Sequence, residues 1–348
     1  MKVRVRYPLE SSDGRLLLRL DSDWEHELPP RFVTEDGTCF EFELPDDVPY
    51  HYFKPVLRRG SKVTWARGPD RLAVPGGANP DVYPYFGEDQ DCEVCVRQRL
   101  PHGQGGYEVR VFLPAGYSEN TLSRHPVLYM HDGHNLFFPE EAFAGRHWAV
   151  RETFTSLDAM DLVQRVIVVG IRPLDRTHEY TRDGWDVYER FLVDELKPWV
   201  DRWYRTYTGP EHTVVMGSSL GGVVSLHLAW NRPDVFGGAG CLSSTFGWND
   251  DLFERIAGEA PKPLRLYLDS GWPADNYEVT RSMYELLLSR GYRAGADVQH
   301  VAFPGGRHDE DSWRLRLHVP LQFFFRNEAA AQPAARRPRR EVRSWTRS

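Results

Sequence analysis

The chain has 348 residues, of which 41% are hydrophobic, 13% aromatic and 27% charged, a composition able to build a buried core and a length that suggests two domains. The formal net charge of −7 argues against nucleic acid as a partner, because domains that bind phosphate backbones carry a basic excess. No run of about 18 apolar residues points to a membrane span, and the opening M-K-V-R-V-R-Y-P-L-E has a basic start but no apolar core of a signal peptide, so the expected location is cytoplasmic.

Residues 1–75 read as short strands with polar breaks: R-L-L-L-R-L (15–20), C-F-E-F-E-L (39–44) and H-Y-F-K-P-V-L (51–57). The second alternates apolar and charged residues, the period of a half-buried strand. With turns at E-D-G-T and P-D-D-V-P, the segment is expected to form a small all-β sandwich, an accessory domain. The Pro- and Gly-rich stretch A-V-P-G-G-A-N-P-D-V-Y-P-Y-F-G-E-D-Q (73–90) reads as a connection, with the linker at 76–91. Cys92 and Cys95 form a lone C-x-x-C, and Cys39 and Cys241 lie far away in sequence. A structural zinc site usually needs a second pair, so four free thiols in a reducing compartment are expected.

From residue 92 the pattern changes. Strand-like runs Y-E-V-R-V-F-L, P-V-L-Y-M-H and V-I-V-V-G-I alternate with helical stretches, which predicts an α/β catalytic domain over 92–327, with a mostly parallel sheet covered on both faces. Over 187–204, Phe191, Leu192, Leu196, Trp199, Val200 and Trp203 fall near one helical face, and Pro198 is expected to kink or end that helix. Residues 328–348 are mainly Ala, Pro and Arg; six Arg against two Glu give this tail a charge of +4 and leave the rest near −11. Such a segment cannot bury a core, and a disordered basic tail is expected.

In V-V-M-G-S-S-L-G-G-V-V (214–224), a short apolar strand signal meets Gly217-Ser218-Ser219-Leu220-Gly221, followed by an apolar helix that stops at Asn231-Arg232-Pro233. A G-x-S-x-G at a strand-to-helix corner is the setting of a nucleophile elbow, and the spacing puts Ser219 at its centre. The helix start supplies a positive field and free amides. The plain alternative is a Gly/Ser turn without chemistry.

A serine hydroxyl needs a base, and the chain order for such a corner is Ser, acid, His. Downstream stand His227, within the helix after the corner; His300, in the strand D-V-Q-H-V-A-F; His318, in a late helix; and His308, in the loop F-P-G-G-R-H-D-E-D-S-W. Only the loop lets an imidazole reach over the sheet edge. Metal binding by H-D-E-D is disfavoured, since hard-cation loops space their carboxylates more widely. For the acid, L-R-L-Y-L-D-S-G-W-P-A-D-N-Y-E offers Asp269, Asp275 and Glu278. Asp275, in the loop before a helix, is favoured, with the other two as alternatives. The amide of Leu220 is one expected oxyanion donor; the second is expected from P-V-L-Y-M-H-D-G-H-N-L-F, at His134 or Gly133.

These pieces together resemble a known family. Residues 92–326 are similar to the esterase-D and enterochelin-esterase-like group of α/β-hydrolases, whose relatives include carbohydrate family-one feruloyl and acetylxylan esterases and mycobacterial mycolyltransferases. The matching segments are L-Y-M-H-D-G-H-N-L-F, D-R-T-H-E-Y-T, F-L-V-D-E-L-K-P-W-V-D-R-W-Y-R-T, M-G-S-S-L-G-G, L-D-S-G-W-P-A-D-N and G-G-R-H-D-E-D-S-W. The resemblance implies an α/β-hydrolase fold with Ser219, Asp275 and His308 as a triad, Asp132 at the substrate cleft, and His134 where many members have Gln. V-T-W-A-R-G-P-D-R-L-A-V-P resembles starch-binding-type sandwich modules, with Trp65 as a sugar-stacking residue and Asp70 where Asn is usual.

The resulting expectation is a serine ester hydrolase working through an acyl-enzyme, with no cofactor and no metal. Its substrate would be a small-molecule or carbohydrate ester, such as an acylated sugar or a siderophore-like ester, and Trp272 with Phe137 or Phe138 would line the pocket. Acyl transfer to an alcohol by the same residues and an inert glycan-binding protein are the alternatives.

Overall fold

The computed structural model describes residues 1–9, 14–76, 81–87, 92–102 and 105–327. The basic tail and parts of the linker lie outside these residues.

The first strands bury alternate side chains. In β1 (Lys2–Arg6), Val3 and Val5 point inward while Lys2 and Arg4 are exposed; β5 (Cys39–Glu43) buries Phe40 and Phe42. With β4 (Phe32–Val33) they pair in the order β1-β5-β4. A second sheet orders β3 (Asp23–Leu28), β2 (Arg15–Leu20), β6 (His51–Arg59) and β7 (Lys62–Trp65), with β8 (Arg71–Ala73) on β6. Leu16, Leu18, Phe53 and Leu57 of this sheet share one apolar core with Val3, Val5, Phe40 and Phe42 of the first.

The stretch read as a linker is more built-in than its Pro and Gly content suggests. Val82 bridges Val5, and its amide donates to the Arg4 carbonyl at 2.9 Å. Asp81 pairs with Arg4 and Arg6. Phe86 enters the same core edge-on to Tyr7. The Glu119 carboxylate then accepts the Tyr7 hydroxyl at 2.9 Å and the amides of Phe86 and Gly87, each at 2.8 Å. Proline and glycine hide periodicity without preventing burial, so composition alone could not reveal this clip.

The larger sheet runs β10-β11-β13-β12-β14-β15-β16-β17, with β9 on β11. Its strands are β9 (Glu93–Val94), β10 (Gln98–His102), β11 (Gly105–Leu113), β12 (Val127–Met130), β13 (Ile167–Arg172), β14 (Thr213–Ser218), β15 (Gly238–Leu242), β16 (Arg265–Trp272) and β17 (Val298–Pro304). All pairs from β13 to β17 are parallel, while β11 is antiparallel to its neighbours. In β12, Val127 and Tyr129 face one apolar layer, Leu128 and Met130 the other, so the strand reads as a continuous apolar run.

Helices cover both faces. The Val127 side takes α3 (Trp185–Arg190), α4 (Lys197–Trp203), α5 (Leu220–Asn231), α6 (Leu252–Gly258) and α7 (Tyr277–Ser289). The Leu128 side takes α1 (Val150–Ala159), α8 (Glu310–Arg316) and α9 (His318–Phe325). The short α2 (Arg176–Glu179) follows β13. The helix does not end at Pro198. Instead, α3 runs into a π-helical turn, Phe191–Leu196, where the Lys197 amide donates to the Leu192 carbonyl five residues back; Pro198 then sits in the first turn of α4. The helical path continues on both sides of this turn, and the proline, with no amide to give, directly follows the widened turn.

Candidate active site

The corner between β14 and α5 turns on Ser219, with φ 58° and ψ −122°. A non-glycine residue in this region is strained. The Ser219 amide donates to the Leu242 carbonyl at 2.9 Å, tying the corner to the end of β15. Among the described residues the Ser219 hydroxyl makes no hydrogen bond. Leu220 opens α5, so its amide is one of the first-turn donors without an intrahelical acceptor.

The glycines around the corner differ in what they permit. A Cβ on Gly217 would stand 2.9 Å from the Gly221 backbone, and one on Gly222 only 2.0 Å from the Ser244 hydroxyl oxygen. At Gly221 the nearest atom is 3.4 Å away, ordinary contact. The close approaches are therefore at Gly217 and Gly222, not at the second glycine of the five-residue pattern. Gly217→Ala and Gly222→Ala should each destabilise by roughly 1–3 kcal/mol through overpacking. Gly221→Ala, in a helix where alanine is preferred, should cost less; urea denaturation of the three variants measures the difference.

His308 lies in the loop between β17 and α8. Its Nδ1 stands 2.8 Å from Asp275 Oδ1, and its ring meets Trp313 edge-on at 5.2 Å. The Asp275 side chain is fully buried. Burial pushes its carboxyl up, but bonds from His308, Ser243 and the amides of Gly271 and Asn276 outweigh that and hold it well below the usual carboxylate range. An ionised Asp275 accepts the Nδ1 proton of His308 and leaves Nε2 as the basic nitrogen.

The other candidates lie apart. Asp269 is buried in β16, takes the Tyr267 hydroxyl at 3.1 Å and pairs with Arg316 at 3.1 Å. Glu278 is exposed in the first turn of α7. Among the histidines, His227 is buried, stacked on Trp185 at 3.8 Å with Nε2 at 3.2 Å from Glu189. His300 packs against Tyr277 and Tyr284, and His318 is exposed at the start of α9. The acids after His308 are spent locally: Asp309 caps α8 by accepting the Ser312 amide at 2.8 Å, and Asp311 pairs with Arg146 at 3.1 Å. Among the described residues no group of three or more His, Cys, Asp or Glu side chains could hold a metal ion.

After β12 the chain turns through Asp132, at φ 54°. Its carboxylate is bound in bidentate fashion by Arg176, with Nε at 2.9 Å from Oδ1 and Nη2 at 3.0 Å from Oδ2. Nη2 also reaches the Ser218 carbonyl at 3.3 Å, so Arg176 braces the elbow against this loop. Asp132 is thus buried as half of an ion pair. Gly133 lets the loop cross β13, since a Cβ there would stand 2.5 Å from the Gly170 backbone. His134 follows, its imidazole held below its ordinary value by burial.

Phe137 is buried and stacked parallel to Phe112 in the core, and Phe138 lies under the Arg110 guanidinium at 4.9 Å, on the β11 side. Trp272 is half exposed at the end of β16. Trp65, at the edge of the N-terminal sheet, has the Arg19 guanidinium 4.9 Å from its ring centre and Trp24 at its side. A cleft of about 410 Å³ lies near Phe112, Phe154 and Arg165 and contains none of the candidate residues.

Sequence reasoning missed Arg176, Ser243, Trp313 and Arg316. Arg176 and Trp313 had a signal, in the segments D-R-T-H-E-Y-T and G-G-R-H-D-E-D-S-W; Ser243 and Arg316 had none.

Residues 103–324 match the Esterase family model, described as "Putative esterase". The chain is 25% identical over 316 residues to an endo-1,4-beta-xylanase/feruloyl esterase of Xylanibacter ruminicola, across 78% of this chain and 41% of that protein. It therefore spans about two fifths of that relative's length. A solved ferulic acid esterase superposes with a TM-score of 0.59 at 19% identity, covering 68% of this chain and 98% of that one. The enterobactin esterase of Shigella flexneri superposes with a TM-score of 0.55 at 18% identity, covering 93% and 92%. At such identities the likeness concerns the fold.

Proposed function

The chain belongs to the Esterase family, and from that premise we propose that it is a serine carboxylic-ester hydrolase with Ser219 as nucleophile, His308 as base and Asp275 as its orienting acid. The observation that carries the reading is the 2.8 Å contact between His308 Nδ1 and a buried, ionised Asp275. It fixes the tautomer a base needs.

In this scheme His308 Nε2 takes the Ser219 proton as the hydroxyl oxygen attacks the ester carbonyl. The amides of Leu220 and His134 bind the tetrahedral oxyanion. The imidazolium, stabilised by Asp275, then protonates the departing alcohol and leaves an acyl-enzyme. Water repeats the sequence and releases the acid. Residues 92–327 form the catalytic unit and 1–75 an accessory β unit. The names of the relatives, feruloyl and enterobactin esterases, support an acylated sugar or a siderophore-like ester as substrate. Asp132, paired with Arg176, and the half-exposed Trp272 are the expected substrate contacts.

Hydrolysis of p-nitrophenyl butyrate tests the assignment of the acid. Asp275→Asn should lower kcat by roughly 10⁴, the effect of the matching change in a serine protease, while Asp269→Asn should not approach that loss. Equal losses would overturn the assignment. Adding a competing alcohol separates the two outcomes of the acyl-enzyme, since an acyltransferase would give mainly ester and a hydrolase mainly free acid.

A further inference from the structure

Ser243 follows β15, at the edge of the sheet where the elbow and the Asp275 loop meet. It is fully buried and has φ 45°, a backbone region that suits glycine better than serine. Three polar side chains converge on its hydroxyl. Trp313 Nε1 donates to it at 3.0 Å, Arg316 Nη2 donates at 2.5 Å, and the third contact is with Asp275 Oδ2.

The direction of these bonds follows from the groups themselves. Indole and guanidinium nitrogens only donate, and a serine hydroxyl has one proton and two lone pairs. Both lone pairs are taken, so the single proton goes to the carboxylate. The hydroxyl is saturated and its orientation fixed. The backbone adds two ties: the Ser243 amide donates to the Asp269 carbonyl at 2.8 Å, and the Ser243 carbonyl accepts the Asn276 side-chain amide at 2.8 Å, one residue beyond Asp275.

Trp313 and Arg316 both belong to α8, which begins two residues after His308. The segment that carries the base and the loop that carries the acid therefore meet on one hydroxyl. We infer that Ser243 is a positioning residue, whose hydroxyl, held by Trp313 and Arg316, keeps the Asp275 carboxylate turned so that its other oxygen faces His308. The inference rests on Asp275 being the partner of His308 in catalysis.

The test compares Ser243→Gly and Ser243→Ala. Both remove the hydroxyl, but only alanine keeps the backbone cost of a positive φ, so glycine should melt at the higher temperature. Both should lose the same share of kcat on p-nitrophenyl butyrate, roughly 10- to 100-fold, the worth of one hydrogen bond to a charged group, with KM little changed. In proton NMR, the far-downfield Nδ1–H resonance of His308 in the wild type should move upfield or broaden away in both. Losses of kcat that follow the melting temperature, or a glycine variant with wild-type kcat and an unmoved resonance, would overturn the inference. Asp275→Asn separates the two levels. If it keeps wild-type rates, the premise itself has failed; if it collapses while Ser243→Gly stays at the wild-type rate, only the role of Ser243 has failed.

Discussion

Ser219→Ala should abolish ester hydrolysis, with kcat on p-nitrophenyl acetate or butyrate falling by several orders of magnitude, on the order of 10⁶ in the best-studied serine hydrolase. The size of the effect follows from the elbow. Ser219 occupies a strained corner at φ 58° at the start of α5, and such strain persists where the surrounding structure over-determines it. Alanine keeps the backbone and removes only the hydroxyl, so the variant should fold as the wild type does. A fluorophosphonate should label the wild type and leave Ser219→Ala unlabelled. A variant that hydrolyses at the wild-type rate would show that the nucleophile lies elsewhere, and then the contact between His308 and Asp275 would need another purpose.

The elbow was legible because its signals are local. An apolar strand, a glycine, two serines and an apolar helix follow one another within nineteen residues, β14 to α5, and the spacing alone singles out Ser219 over Ser218. The loop position of His308 was legible by elimination, since each other downstream histidine falls inside a regular element. The carboxylate that meets His308 was harder to pick. Asp269 and Asp275 are six residues apart, and both lie near the end of an apolar strand. What separates them is direction: Asp269 turns to Tyr267 and Arg316, while Asp275 turns to His308. No periodicity encodes that.

The rest of the site was hidden by distance along the chain. Ser243 meets Trp313 across 70 residues and Arg316 across 73. Arg176 meets Asp132 across 44. A serine after a strand and an arginine late in a short helix are ordinary in sequence, and their roles exist only once the sheet brings its ends together. The same holds for Pro198 and for the 81–87 stretch. One was read from what proline does to a helix and the other from its Pro and Gly content, while the outcome depended on a π-helical turn and on a core that had Phe86 to bury.

Arg316→Met should cost roughly 3–5 kcal/mol of stability at pH 7, the range for removing one partner of a buried ion pair. Its side chain is 3% exposed, with Nη2 at 3.1 Å from Asp269 Oδ1 and 3.6 Å from Asp275 Oδ2, two carboxylates that are themselves fully buried. One guanidinium thus balances two acids, and methionine fills its volume without its charge. The loss should depend on pH. Burial pushes Asp269 up to about 6, against the pull of Arg316 and the Tyr267 hydroxyl. Because this lies above the value of about 3.9 in an unfolded chain, proton uptake favours the fold, and the contribution of Asp269 declines as pH rises from about 4 to about 6. Without Arg316 the group moves higher still, so the gap between wild type and variant should be widest at pH 7 and narrower at about pH 5, where Asp269 is neutral in the variant and largely so in the wild type. Asp275 acts in the opposite sense, but its folded value lies below the ordinary carboxylate range, so its contribution is lost only at lower pH. Urea denaturation at the two pH values measures the gap. Adding Asp269→Asn to Arg316→Met should recover part of the loss at pH 7, because it removes the charge left unpaired; a double variant no more stable than Arg316→Met would mean that Asp269 is not the acid this guanidinium neutralises.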